Sequence, residues 1–213
     1  MGLDPTGAYT LSLREQRKQE RREAIIKAAE VIFGQVGYSS ATMDEIAHKA
    51  GVGVATVYKY FGNKASILES IIRPSLEKAF EEAAKIIANP PADPGVAMAE
   101  LIDKYRYLRN DWSDRKMLRA LSMLGTNNEH VLNNTVLESD SRAQQQIRDL
   151  LLVLKGRGDI DPNLNLEDAT IVIFCVFNQH YEIFLTHDEI PAKKLFADMA
   201  RRIGMLFADW KKR

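Results

Sequence analysis

Apolar residues recur at helical spacing along nearly the whole of this 213-residue chain, and no segment shows the sustained alternation of a half-buried strand. That property confines the expected fold to the all-α class. The first stripe is Ile25, Ala28, Ala29, Ile32 and Phe33, which gives one face of a helix over roughly 14–36 an apolar surface before Gly37 stops it. Thr42-Met43-Asp44-Glu45 reads as a capping box: the Thr42 hydroxyl accepts from the Glu45 amide while the Glu45 carboxylate reaches back to Thr42. The helix so started covers 43–50, ends at Gly51, and is followed by a second short helix at 54–61. Only Gly51-Val52-Gly53 separates the two, the spacing of a helix-turn-helix. In that arrangement Ile46, Ala47, Val52, Val57 and Phe61 pack against Ile25, Ile32 and Phe33, leaving Val54, Ala55, Thr56, Tyr58 and Lys59 free to face outward.

Asn63 is placed to cap a helix over 64–88 that contains Pro74. A proline there removes one backbone hydrogen bond and clashes with the preceding turn, which predicts a kink or break near Ser70–Arg73 and a place for bending. The stretch 89–95 holds three of the seven prolines and reads as a loop. Further helices are expected at 96–111, 114–124, 129–156, 166–187 and 191–211, with Asn165 as a cap and Pro191 in the first turn of the last.

Charge and composition narrow the function. The 29 Lys+Arg balance 29 Asp+Glu, so no global field draws the chain to nucleic acid or membrane, and any such attraction must be local. Arg14, Arg17, Lys18, Arg21, Arg22 and Lys27 cluster, interrupted by Glu15, Glu20 and Glu23; a solvated helix and a phosphate-facing arm both fit this pattern. The single cysteine, Cys175, excludes an internal disulfide framework and any Cys-based zinc cluster. It sits in the apolar run Ile171–Phe177, where burial would leave the thiol inert. The first residues lack a signal-peptide core, and that run is far short of the ~20 residues of a membrane span, so a cytoplasmic protein with no membrane partner is expected. His48, His130, His180 and His187 show no metal-ligand spacing, and there is neither a glycine-rich phosphate loop nor a nucleophile elbow. The expectation is therefore a protein that is not an enzyme and holds no metal or cofactor.

Residues 21–72, and above all TMDEIAHKAGVGVATVYKYFGNKASIL, resemble the DNA-binding domain of TetR-family transcriptional regulators, with the family's A-G-V turn, its T-x-Y-x-Y-F helix end and its Asn-Lys step into the next helix. The resemblance implies three parts: an arm and the start of the first helix at 1–20, a three-helix helix-turn-helix domain at 21–73, and a larger helical effector-binding and dimerisation domain at 74–213 reached through the linking helix. It implies that the helix at 54–61 enters the major groove. Gly53, Val54, Ala55, Thr56 and Lys59 would then meet base edges, and Thr42, Tyr58, Tyr60 and Lys64 would hold phosphates. Gly53 and Val54 depart from the family's usual Ser and polar residue, so hydrogen-bond readout should be sparse.

For the second domain the resemblance implies a small-molecule effector and a homodimer formed by the last two long helices. Tyr105, Trp112, Met117, Leu121, Met123, Phe174, Asn178 and Tyr181 are the candidate effector contacts, apolar walls with few polar groups, with His180 as a further polar candidate. Phe184, Phe196, Ile203, Leu206, Phe207 and Trp210 are the candidate interface. Together these readings predict a repressor released from a palindromic duplex operator by a small, largely apolar effector. A helical adaptor that binds protein instead of DNA is the alternative.

Overall fold

The structure, a computed structural model, describes residues 2–3, 9–10, 12–105, 119–120 and 130–211. Helices dominate it, as the periodicity predicts; a two-residue antiparallel pair, Gly2–Leu3 with Tyr9–Thr10, is the extended structure among the described residues. The chain divides into two compact units, 1–71 and 72–213.

The first unit contains α1 (Leu13–Val36), α2 (Met43–Ala50), α3 (Val54–Phe61) and the first turns of α4 (Lys64–Ala88). Helix α1 begins at a capping box in which Ser12 accepts from the Glu15 amide, and ends where Gly37, at φ 81°, turns the chain away. Ile25, Ala29, Phe33, Ile46, Val57, Ile67 and Leu68 are wholly inaccessible and form the centre of the unit. Ile32 and Val52, expected inside, are only half-buried.

The second unit holds the rest of α4 with α5 (Pro94–Lys104), α6 (His130–Arg157), α7 (Leu166–Thr186) and α8 (Ala192–Trp210). Helix α4 runs through Pro74 without a break. Pro74 is exposed, and the residues that hold this stretch to the unit are Ile72, Ala79 and Phe80, all buried. Pro94 and Gly95 open α5 instead of closing the loop, because Asp93 caps the helix by accepting from the Val96 amide at 2.9 Å. Gly95 lets α5 press on α8: a methyl group there would lie 3.3 Å from the Gly204 Cα. One continuous core joins Met98, Leu101 and Ile102 of α5, Ile147, Leu150 and Leu154 of α6, Ile173 of α7 and Ile203 and Phe207 of α8. Arg157 ties the proline loop to this body, donating to the carbonyls of Pro90, Pro91 and Ala92 at 3.1 Å each.

Helix α7 departs from expectation twice. At 21 residues and a mean hydropathy of 1.2 it is long and apolar enough to cross a membrane, although its unbroken apolar run is short; its buried face, with Ala169, Ile173, Phe174 and Phe184, belongs to the core. Cys175 is exposed, not buried, because the seven-residue apolar run wraps the helix and a 100° step per residue carries Ile171, Val172 and Cys175 to the outer side. The inert buried thiol expected from composition is thus corrected to an accessible one.

Candidate nucleic-acid interface

The first unit presents α3 outward through local chemistry that can be followed residue by residue. Thr42 caps α2: its Oγ1 accepts from the Glu45 amide at 3.2 Å, while Glu45 Oε2 accepts from the Thr42 amide and hydroxyl, each at 2.9 Å. These hydrogen bonds from Thr42 hold the Glu45 carboxyl below the usual carboxylate range. Gly51 then adopts φ 68°, ψ 31°, a left-handed conformation that suits glycine, and the Val52 amide returns to the Ala47 carbonyl at 3.0 Å. That reversal starts α3 two residues later at Gly53, which has no side chain to cap it.

Two residues of α3, Val57 and Phe61, anchor it in the core, and the rest of the helix is left at the surface. Gly53, Ala55, Tyr58 and Lys59 are exposed, Tyr58 to 51%, while Val54, Thr56 and Tyr60 are half-buried. Exposed His48 and Lys49 occupy the last turn of α2, just ahead of the turn; the outward face of α2, Asp44, Glu45, His48 and Lys49, follows from its periodicity, yet these two were not among the expected contacts.

Lys64 differs most from its expected role. Its Nζ donates to the carbonyls of Tyr38 at 2.6 Å, Ala41 at 2.8 Å and Ser39 at 3.3 Å, and lies 4.5 Å from the centre of the Tyr38 ring. An ammonium has three N–H groups, and all three have acceptors inside the protein. Lys64 is thus a strut that fixes the loop leading to Thr42. Lys64→Met should cost about 2 kcal/mol of stability, the scale of losing charge-assisted hydrogen bonds at a partly buried site. Thermal denaturation checks this, and an unchanged midpoint would show that the ammonium is not held as described.

In the second unit, three of the candidate effector residues, Tyr105, Phe174 and Tyr181, fall on one aromatic chain. Phe80 and Tyr105 have ring centres 5.6 Å apart, Tyr105 and Phe177 5.9 Å, Phe177 and Phe174 6.2 Å, and Phe177 and Tyr181 5.9 Å with rings stacked. The Tyr105 hydroxyl donates to Gln146 Oε1 at 3.0 Å, and Gln146 Nε2 donates to the Phe80 carbonyl at 2.9 Å. Burial pushes the Tyr105 hydroxyl far above the usual phenol range. Phe80, Phe177 and Gln146 were not foreseen; their helical spacing is that of any core residue. Trp112, Met117, Leu121 and Met123 lie outside the described residues. Asn178 is exposed, which removes the burial that made it the preferred polar contact, since it follows Ile171 and Cys175 on the outer side of α7. His180 is buried: its Nδ1–H donates to the Val176 carbonyl at 2.6 Å, leaving Nε2 to accept from Arg202.

The candidate dimer residues need the plainest correction. Phe184, Phe196, Ile203 and Phe207 are buried within the protomer and present no surface, while Leu206 and Trp210 are half-buried against the core and present only part of theirs. The apolar stripe of α8 already has α5 beneath it, within the protomer. The outward apolar residues of the two helices are Ile171 at 55% exposure, Val172 at 41% and Met205 at 61%, with exposed Cys175 beside the first two on α7.

Residues 25–71, which hold α2, α3 and the helices that support them, match the family described as bacterial regulatory proteins, tetR family. The chain is 28% identical over 151 residues to the HTH-type transcriptional regulator SrpR of Pseudomonas putida, covering 71% of this chain and 68% of that protein. It is 26% identical over 161 residues to the probable acrEF/envCD operon repressor of Escherichia coli (strain K12), covering 74% and 72%. A TetR-family regulator from Mesorhizobium loti superposes with a TM-score of 0.71 at 19% identity, over 92% of this chain and 99% of that one.

Proposed function

Since the chain belongs to the TetR family of transcriptional regulators, we propose that it is a homodimeric, ligand-responsive DNA-binding repressor, released from a palindromic operator by a small, largely apolar molecule. The observation that carries this reading is α3, anchored by two residues and open to solvent along the side that bears Ala55, Tyr58 and Lys59. In the major groove this side meets the bases through Gly53, Val54, Ala55, Thr56 and Lys59. Val54 offers no donor, so contact with a thymine methyl replaces hydrogen-bond readout there. Thr42, Tyr58 and Tyr60 hold phosphates, and Lys64 serves indirectly by fixing the loop that carries Thr42. The protein then acts in the cytoplasm by binding alone, with no catalytic step, and no observation favours a protein-binding adaptor.

A second copy of the chain covers the outward faces of α7 and α8 at Ile171, Val172, Cys175 and Met205. The pairing sets the two α3 helices about 34 Å, one DNA turn, apart. The effector contacts Tyr105, Phe174 and Tyr181, with Phe177 between them and Gln146 as the polar group. Helix α4, shared by both units, is the covalent path by which effector binding shifts the population away from the DNA-binding state.

A screen of small apolar molecules for a raised melting temperature tests the coupling. A ligand at 100 times its dissociation constant stabilises by about 2.7 kcal/mol, enough to be seen. Added to the protein–operator complex, such a compound is expected to release the duplex. Compounds that stabilise the protein and leave operator affinity unchanged would contradict ligand-controlled repression.

A further inference from the structure

Helix α1 is twice as long as the body beneath it requires. No residue of α1 before Ile25 is buried, so the 12 residues 13–24 run on ahead of the core, about 18 Å of helix at 1.5 Å per residue. The extension is a finished helix: Ser12 and Glu15 close its end with a capping box. Arg14, Arg17, Lys18 and Arg21 stand at i, i+3, i+4 and i+7 on it, an arc of about 100°, and all four are exposed. The same spacing continues into Ile25, Ala28, Ala29 and Ile32. One face of α1 is thus apolar where it is buried against the unit and cationic where its side chains are exposed.

Three acids stand near this face, Glu15, Glu20 and Glu23, and none of them forms an ion pair with it among the described residues. Glu15 is taken up by Ser12, accepting from its amide at 2.9 Å and its hydroxyl at 2.7 Å, and acts on Lys18 only at longer range. Glu23 accepts from Gln19 at 2.8 Å, on the opposite side of the helix. None of the four cations makes a hydrogen bond or ion pair among the described residues. The following residue, Arg22, fixes where the extension leaves the unit. Its guanidinium lies 5.3 Å from the ring centre of Phe61, the last residue of α3, and donates to Ser70 Oγ at 3.0 Å. The cationic face therefore emerges beside the C-terminal end of α3.

We propose that Arg14, Arg17, Lys18 and Arg21 form a second, sequence-independent contact with the phosphate backbone of the duplex, flanking the half-site that α3 reads. This rests on α3 being the groove helix. An α-helix with an arc of four cations, none of them in an ion pair, suits a repeating line of phosphates, and the contact adds affinity and orientation without reading bases.

The test compares the full-length protein with the variant Arg14→Gln, Arg17→Gln, Lys18→Gln, Arg21→Gln on two duplexes, one trimmed to the half-sites and one extended on both flanks, over about 50–200 mM salt. Melting temperature is followed alongside, since all four residues are exposed and should leave it unchanged. On the extended duplex the variant should show a slope of log affinity against log salt smaller by about 0.9 for each side chain that reaches a phosphate, and an affinity lower by on the order of tenfold at the lower salt. Trimming the flanks should weaken the parent protein and leave the variant unaffected. If the variant equals the parent in slope and affinity on both duplexes, the flanking contact is wrong while α3 as groove helix still stands. If the parent binds neither duplex, the reading of α3 fails as well.

Discussion

Replacing Ile171 and Met205 together by glutamate will yield a folded monomer whose affinity for a two-half-site duplex is about 100- to 10,000-fold lower. Both side chains are more than half exposed, so the substitutions disturb little within the protomer and its melting should change by less than about 1 kcal/mol. Across a two-fold interface each glutamate is buried without a partner or faces its own copy, and either costs several kilocalories per mole. The loss in DNA binding then follows from valency: two linked α3 helices bind cooperatively, and one alone does not. Sedimentation and fluorescence anisotropy read the two effects separately. A variant that stays dimeric would place the interface elsewhere on the protein.

Ala55→Glu is the second large effect. Ala55 is exposed in the first turn of α3, where a carboxylate suits the helix dipole, so the fold should be unharmed or slightly favoured. Set into the major groove, the same carboxylate meets the dense negative field of the duplex, and like charges juxtaposed at an interface cost several kilocalories per mole. Operator binding should fall at least about 100-fold with the melting temperature unchanged. Retained binding would mean that the Ala55 side of α3 does not enter the groove.

The DNA-binding unit could be read from sequence because its signals are local. The Thr42–Glu45 box, the left-handed Gly51 and the Asn63 cap, which accepts from the Ser66 amide at 2.8 Å, each act within a few residues, and the helices begin and end where those signals predict. The Ser12–Glu15 box has the same spacing, but the residues that follow it are charged and polar and carry no apolar stripe to mark the start of a helix. The second unit was harder for a physical reason. Periodicity tells which face of a helix is apolar but not what covers it, so the stripe of α8 was assigned to a partner copy when α5 already occupies it. The apolar run of α7 failed in the opposite way: continuous hydrophobicity has no direction, and Cys175 and Asn178 prove to be on the outside. The role of Lys64 was set by long-range geometry. Its carbonyl acceptors are 23–26 residues away in the chain, and no spacing rule announces such a contact.

A homodimer that carries two α3 helices reads duplex DNA as a symmetric pair. Selection of bound sequences from a randomised duplex pool, repeated at low and moderate salt, tests it most directly. The expected result is enrichment of a palindrome whose half-site centres lie about one helical turn apart or a multiple of it, with affinity falling steeply as salt rises. A pool that emerges unenriched, with no salt-sensitive binding at either concentration, would contradict it.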